Sequence, residues 1–270
     1  FVGTANQVAA WRMLVGGAAM ALVALTQHRW RPILHLMRSP VVWGMAISAV
    51  MYQVTFFVGA EKIGIGVGTL IAQAVAPTAA GLLTWATGVG RPTLVWLACT
   101  VTAIGGMSLI TGGEGNFDLV SVLLVSTSGA LYALNVVAGA WLVRRHQVSG
   151  TQVLTATFTL GAVLAAPVAL RGMDWVITPS GMATVLWTGL MATSVAYILF
   201  GHGITHLPSP IVSTMGVAEP VWAALIGVLL LGESIPVLGW VGCAIILAAL
   251  VVLTVDQSRR QAASTTVGNA

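Results

Sequence analysis

Apolar stretches of about 20 residues recur from one end of the chain to the other, and each is long enough to cross a hydrocarbon layer of about 30 Å. Little else can be built from such segments. Only 7% of the 270 residues are charged, against 57% apolar, and the mean hydropathy is +0.96. A soluble domain carries about a quarter charged residues, so seven acidic and eleven basic side chains cannot clothe a 27.8 kDa globule. A soluble enzyme, a nucleic-acid-binding domain, a disulfide scaffold and a disordered chain are excluded. The chain reads as a polytopic membrane protein.

Division at proline, glycine and charge clusters predicts nine spans, at 5–26, 41–60, 64–86, 93–111, 119–143, 150–170, 181–201, 209–231 and 235–255. They are helices, because they are continuously apolar and far longer than the alternating strands of about 10 residues in a membrane barrel. The connections are too short to hold a soluble domain, so the function lies inside the bundle. Cys99 and Cys243 both fall within apolar spans and read as buried thiols.

Charge sets the expected orientation. Alternate connections collect Arg29, Arg31, Arg38, Arg91, Arg144, Arg145, Arg259 and Arg260, while the others hold Glu61 with Lys62, Glu114 with Asp118, Arg171 with Asp174, and Glu233. By the positive-inside rule the arginine-rich side is cytoplasmic, and the C-terminus lies there too. The first span then starts outside. A helix preceding it would restore a cytoplasmic N-terminus and bring the total to ten, so the first helix is expected to be missing from this chain.

The two halves resemble each other. Trp96-Leu97-Ala98-Cys99 matches Trp240-Val241-Gly242-Cys243 at an offset of 144 residues, and Val75-Ala76-Pro77 matches Ala218-Glu219-Pro220 at 143. The predicted domains are a first repeat at 1–111, a second at 119–255 and a polar tail at 256–270. The matching helices enter the membrane from opposite sides, so the expected fold is an all-α bundle of two inverted five-helix repeats. Inverted repeats are a common construction of secondary transporters, with the solute held near the midplane.

Polar residues at membrane depth name the candidate site. Glu219 lies in the 209–231 span, where a charge costs about 2.5–3.5 kcal/mol on insertion scales, so it should face a cavity, find a partner or be protonated. Pro220 beside it frees a backbone carbonyl from the helix ladder. Gln53, Gln73, Tyr132, Asn135 and Tyr197 offer hydrogen bonds within their own spans, and Tyr52 and Trp222 add aromatic surface. The competing reading for each is packing, or a bond that ties helices together. Arg12, inside the first span, is placed to snorkel outward or to meet an acid. Glycines at 16 and 17, at 64, 66 and 68, at 105 and 106, and at 239 and 242 permit close helix approach. His202 and His206 have i, i+4 spacing but lack further ligands, so no metal site is expected. There is no phosphate-binding loop and no nucleophile elbow, hence no cofactor and no ATP hydrolysis.

The run Ala192-Thr-Ser-Val-Ala-Tyr197, then Leu207-Pro-Ser-Pro210, then Ala218 to Gly232-Glu233, with Gly239 and Gly242 in the last helix, resembles the drug/metabolite transporter superfamily in its ten-helix EamA-type branch. Ala10-Trp-Arg-Met-Leu14 is similar to that branch's arginine-bearing second helix, and Glu233 matches the residue closing its ninth helix. The resemblance spans 5–255 and is most specific over the last seventy residues. Ala76 in the first repeat stands where the second has Glu219, so the polar lining is asymmetric.

The resemblance implies export of small metabolites such as amino acids by alternating access, from an integral protein of a bacterial cytoplasmic membrane. The bilayer, a small-molecule substrate and protons are the expected partners, with no nucleic acid. The expected substrate-binding residues are Gln53, Gln73, Tyr132, Asn135, Tyr197, Glu219 and Trp222, with Glu219 as the proton-coupling candidate. Two alternatives stay open: a drug or nucleotide-sugar transporter of the same superfamily, and an intramembrane enzyme, which would need catalytic groups converging at one depth.

Overall fold

The computed structural model describes residues 4–26, 30–86, 93–112, 118–171, 173–199, 218–232 and 236–268, and every regular element among them is helical. In lipid a backbone must satisfy its own polar groups, and a helix does so within one segment. The elements are α1 (Ala5–Thr26), α2 (Trp30–Met37), α3 (Pro40–Ile63), α4 (Ile65–Ala86), α5 (Leu94–Gly112), α6 (Leu119–His146), α7 (Gly150–Ala169), α8 (Pro179–Leu199), α9 (Ala218–Leu231) and α10 (Val237–Gly268).

Seven of these are long and apolar enough to cross a membrane. The two other expected spans are shorter as described. The apolar part of α5 runs over Leu94–Gly106, and α9 follows residues 200–217, which lie outside the described residues. Two features depart from the sequence reading. A short helix, α2, occupies what reads as a connection, because Ile33 and Leu36 fall on one face and are buried. The polar tail after residue 255 continues α10 without a break, since polarity marks the exit from lipid and does not end a helix.

Helix ends follow local chemistry. Ser149 caps α7 in a reciprocal box with Gln152, and Thr178 accepts from the Gly181 amide ahead of Pro179 at the start of α8. Between α3 and α4, Gly64 takes φ 87°, a left-handed conformation that a side chain would strain.

The chain divides into two compact units. The first comprises Phe1–Val58 with Leu131–His202, and the second Gly59–Ala130 with Gly203–Ala270. Each therefore draws helices from both sequence halves.

In the first unit α1 packs on α7 and α8, and α2 packs on α7. Ile33, Leu36, Met45, Leu142 and Val153 share one buried cluster, which gathers the Arg31, Arg38 and Arg144–Arg145 segments at one end. At the other end, Gln7 Nε2 donates to the Arg171 carbonyl at 3.2 Å. In the second unit α4 packs on α9, and α5 packs on α10. Trp96 Nε1 donates to the carbonyl of Pro77, the proline within α4.

Lys62 and Asp118 pair at 3.1 Å in the second unit. Hydrogen bonds from Lys62, and then from Ser121, hold the Asp118 carboxyl below its ordinary 3.8. A depressed carboxyl contributes stability above its unfolded pKa and loses it as pH falls through the folded one. Lys62→Ala is therefore expected to lower melting slightly at neutral pH, with the difference from wild type fading below about pH 4. Melting curves from acid to neutral pH check this, and a difference confined to acid, or one that grows there, would contradict it.

Candidate functional site

Most hydroxyls in the spans bond within their own helix. Thr69, Thr127 and Thr155 each donate to the carbonyl four residues earlier at 2.8 Å, which satisfies them without a neighbour. The polar groups that reach another helix stand apart, and they form one set in each unit.

In the second unit, Gln73 of α4 donates from Nε2 to Glu219 Oε2 of α9 at 3.1 Å. The two residues are 146 positions apart in sequence. Both lie near the proline of their helix, Pro77 and Pro220. Glu219 stays exposed despite this bond, and Trp222, one turn on, is 64% exposed. The carboxyl is thus held in place by an amide but not enclosed. Proton exchange and solute binding both need that access.

In the first unit, Arg12 of α1 donates from Nε to Thr193 Oγ1 of α8 at 3.0 Å, across 181 positions. Arg12 thus turns toward a neighbouring helix; it neither snorkels nor finds an acid among the described residues. The α8 backbone is shaped for this bond. Over Trp187–Val195 it is π-helical, with the Thr193 and Ser194 hydroxyls donating to carbonyls five residues earlier. Such widened turns occur frequently at functional sites. Ser194 also donates to the Gly16 carbonyl at 3.0 Å, and that contact locks α8 onto α1.

The chain has three tyrosines, and all three converge here. Tyr52 and Tyr132 meet edge to face with centroids 6.1 Å apart. Tyr197 is hydrogen-bonded to Tyr52, lies in electrostatic reach of Tyr132 and Arg12, and packs on Phe158 at 4.9 Å. Rarity was the available signal, because three mid-span tyrosines in so apolar a chain are not needed for packing. Asn135, one turn from Tyr132, donates to Ser48, one turn from Tyr52.

The seven expected binding residues therefore divide. Tyr132, Tyr197, Asn135 and Gln53 belong to the first unit, and Gln73, Glu219 and Trp222 to the second. Gln53 is the most enclosed, at 1% exposure. Its Nε2 reaches the Ala49 carbonyl and the Met13 sulfur, and its Oε1 has no partner among the described residues. A buried unpaired oxygen costs about 1–3 kcal/mol, so Gln53→Met is expected to raise the melting temperature in detergent and leave solute exchange intact. A more stable variant that had lost exchange would mark Gln53 as a ligand instead. His202, His206, Glu233, Arg29, Arg91 and Glu114 lie outside the described residues. Among the described residues no His, Cys, Asp or Glu group could hold a metal.

Comparison with known proteins adds a second line. A model of the EamA-like transporter family matches residues 119–255. The transporter YwfM of Bacillus subtilis is 32% identical over 94% of this chain and 86% of its own length. The inner membrane transporter YicL of Salmonella typhimurium is 25% identical over 81% and 73%. The threonine/homoserine exporter RhtA of Escherichia coli K12 is 23% identical over 77% and 68%. One crystal structure matches with a TM-score of 0.62 over 96% of this chain and 90% of its own at 19% identity, a likeness of fold alone.

Proposed function

The chain belongs to the EamA-like transporter family, and on that premise we propose that it is a secondary exporter of small polar or zwitterionic metabolites, amino acids among them. It is an integral membrane protein. In this reading it lies in a bacterial cytoplasmic membrane with its C-terminus in the cytoplasm, and it works by alternating access and not as an enzyme. Residues 1–111 and 119–255 are its two inverted repeats. The packing of α1 on α7, α4 on α9 and α5 on α10 supports this, since each pairs elements at equivalent places in the two repeats.

The observation that carries the reading is the Gln73–Glu219 bond. An exposed carboxyl at membrane depth is joined to an amide from the other repeat's proline-interrupted helix. Charged groups in spans mark solute and proton pathways, and local irregularity at depth is tolerated where it lines a cavity. Within the first unit Asn135, Tyr132 and Tyr197, and within the second Gln73 and Trp222, offer hydrogen bonds and aromatic surface to a solute, and Glu219 carries the coupling proton. The name of the Escherichia coli relative points to amino acids as the first solutes to try.

The reading is tested by counterflow in proteoliposomes. Vesicles loaded with each amino acid in turn, and with a panel of cationic drugs, are diluted into labelled solute of the same kind. Transient accumulation of at least one amino acid is expected. Accumulation of cationic drugs alone would move the assignment to drug export, and no accumulation of any solute would overturn it.

A further inference from the structure

Arginine is the costliest kind of group to leave without a counter-charge at membrane depth, because its guanidinium cannot shed its proton. Arg12 is nevertheless held in α1 with no ion pair among the described residues. One bond fixes it, from Nε to Thr193 Oγ1, and its Nη nitrogens meet no acceptor among the described residues. Thr193 is fully buried and spends its own proton on the Thr188 carbonyl at 2.9 Å. The hydroxyl can therefore only accept from Arg12, and it anchors the guanidinium by one edge.

Tyr197 lies one turn beyond Thr193 on α8, within electrostatic reach of Arg12, hydrogen-bonded to Tyr52 and packed on Phe158, and Tyr132 meets Tyr52 edge to face. One phenolic proton is spent in the Tyr52–Tyr197 bond, and the other hydroxyl of that pair can donate to an anion. Among the described residues no hydrogen bond or ion pair brings a carboxylate of the chain to Arg12. A guanidinium with one edge anchored presents its other donors to an incoming carboxylate, the pairing whose planar geometry it matches best.

We propose that Arg12 with Tyr52, Tyr132 and Tyr197 forms a carboxylate-binding subsite, which takes the acid group of an amino acid or a similar small organic acid. The subsite deepens the exporter reading and rests on it, since it names the part of the solute that this unit recognises. A bare structural clasp between α1 and α8 would need Thr193 but not three tyrosines. It would also leave Arg12 indifferent to the solute's charge.

The test pairs each amino acid with its primary amide, which keeps size and amine but removes the carboxylate. Two readouts are used on purified protein: the melting temperature in detergent with each compound, and inhibition of counterflow by each compound. Wild type is expected to favour at least one acid over its amide by about tenfold or more, the discrimination expected when a site's buried polar group loses its partner. Arg12→Gln should collapse that preference to about one. Arg12→Lys should retain part of it, because charge persists without the planar fork.

Tyr132→Phe and Tyr197→Phe keep the rings and the arginine, and serve if Arg12→Gln does not fold. Each should weaken acid binding several-fold more than amide binding. Equal melting shifts from acid and amide in wild type, or a folded Arg12→Gln that keeps the preference, would overturn the subsite. Hydroxyl-deleted variants that bind acids at wild-type strength would overturn it as well. The melting readout decides the subsite by itself. Exchange without acid preference would sink the subsite and leave the exporter standing, whereas failure of every solute in counterflow would sink the exporter.

Discussion

Glu219→Gln is expected to abolish the pH dependence of solute exit from preloaded vesicles and to slow exit by about tenfold or more, the usual scale when a proton-transferring group is removed. The substitution separates two roles that share one hydrogen bond. Gln73 donates to Glu219 at 3.1 Å, and a glutamine at 219 can still accept that bond through its amide oxygen. If the pair only fastens α4 to α9, the variant should melt like wild type and move solute like wild type. If Glu219 carries the proton, the bond persists and the proton does not. Exit driven by an acid exterior should then become flat between about pH 5 and pH 8. Asp118 does not intrude, because its carboxyl is held below its ordinary 3.8. An unchanged rate with an unchanged pH profile would remove the proton role from Glu219.

Gly17→Leu is expected to prevent accumulation of folded protein. A Cβ at Gly17 would clash with the Phe158 carbonyl oxygen and sit 2.8 Å from the Ala162 Cβ. Neither atom belongs to a flexible side chain tip, so relief requires α1 and α7 to part. Overpacking a close-packed contact costs about 1–3 kcal/mol even for one methylene, and leucine adds far more. Separating the helices would also pull Arg12 from Thr193 and Ser194 from the Gly16 carbonyl. Gly105→Ala is the control, since nothing among the described residues lies within 4 Å of a Cβ there. Alanine should be tolerated in that position and add up to about 1 kcal/mol through helix propensity. Expression and melting of both variants in detergent check the pair. Equal behaviour would mean that the α1–α7 approach does not limit folding.

Sequence reading reached the helices because lipid imposes a length and a polarity on each of them. It missed α2, since eight residues containing Arg31, Pro32 and His35 read as a charged connection although Ile33 and Leu36 fall on one buried face. The pairing of Gln73 with Glu219 was half legible: both stood out as polar at depth, but periodicity cannot say which helices are neighbours across 146 positions. Arg12 shows the same limit. Its sequence surroundings suit a residue that reaches outward. The bond to Thr193 depends on α1 and α8 lying side by side, and on a π-helical stretch that no local propensity announces. Gly16 and Gly17 make the close contacts that such doublets permit, whereas Gly105 in the same kind of doublet meets nothing among the described residues. A small residue permits an approach without requiring one.

The central claim is that the polar face of α9 is wet at membrane depth and reached from each side in turn. Trp222→Cys, with Cys99 and Cys243 replaced by alanine, places one thiol a turn from Glu219. An impermeant thiol reagent is applied from either side of oriented vesicles, with and without a saturating transported amino acid. The account predicts labelling from both sides, with the amino acid shifting the balance between them. A thiol that resists the reagent from both sides, or that labels from one side regardless of solute, would contradict it.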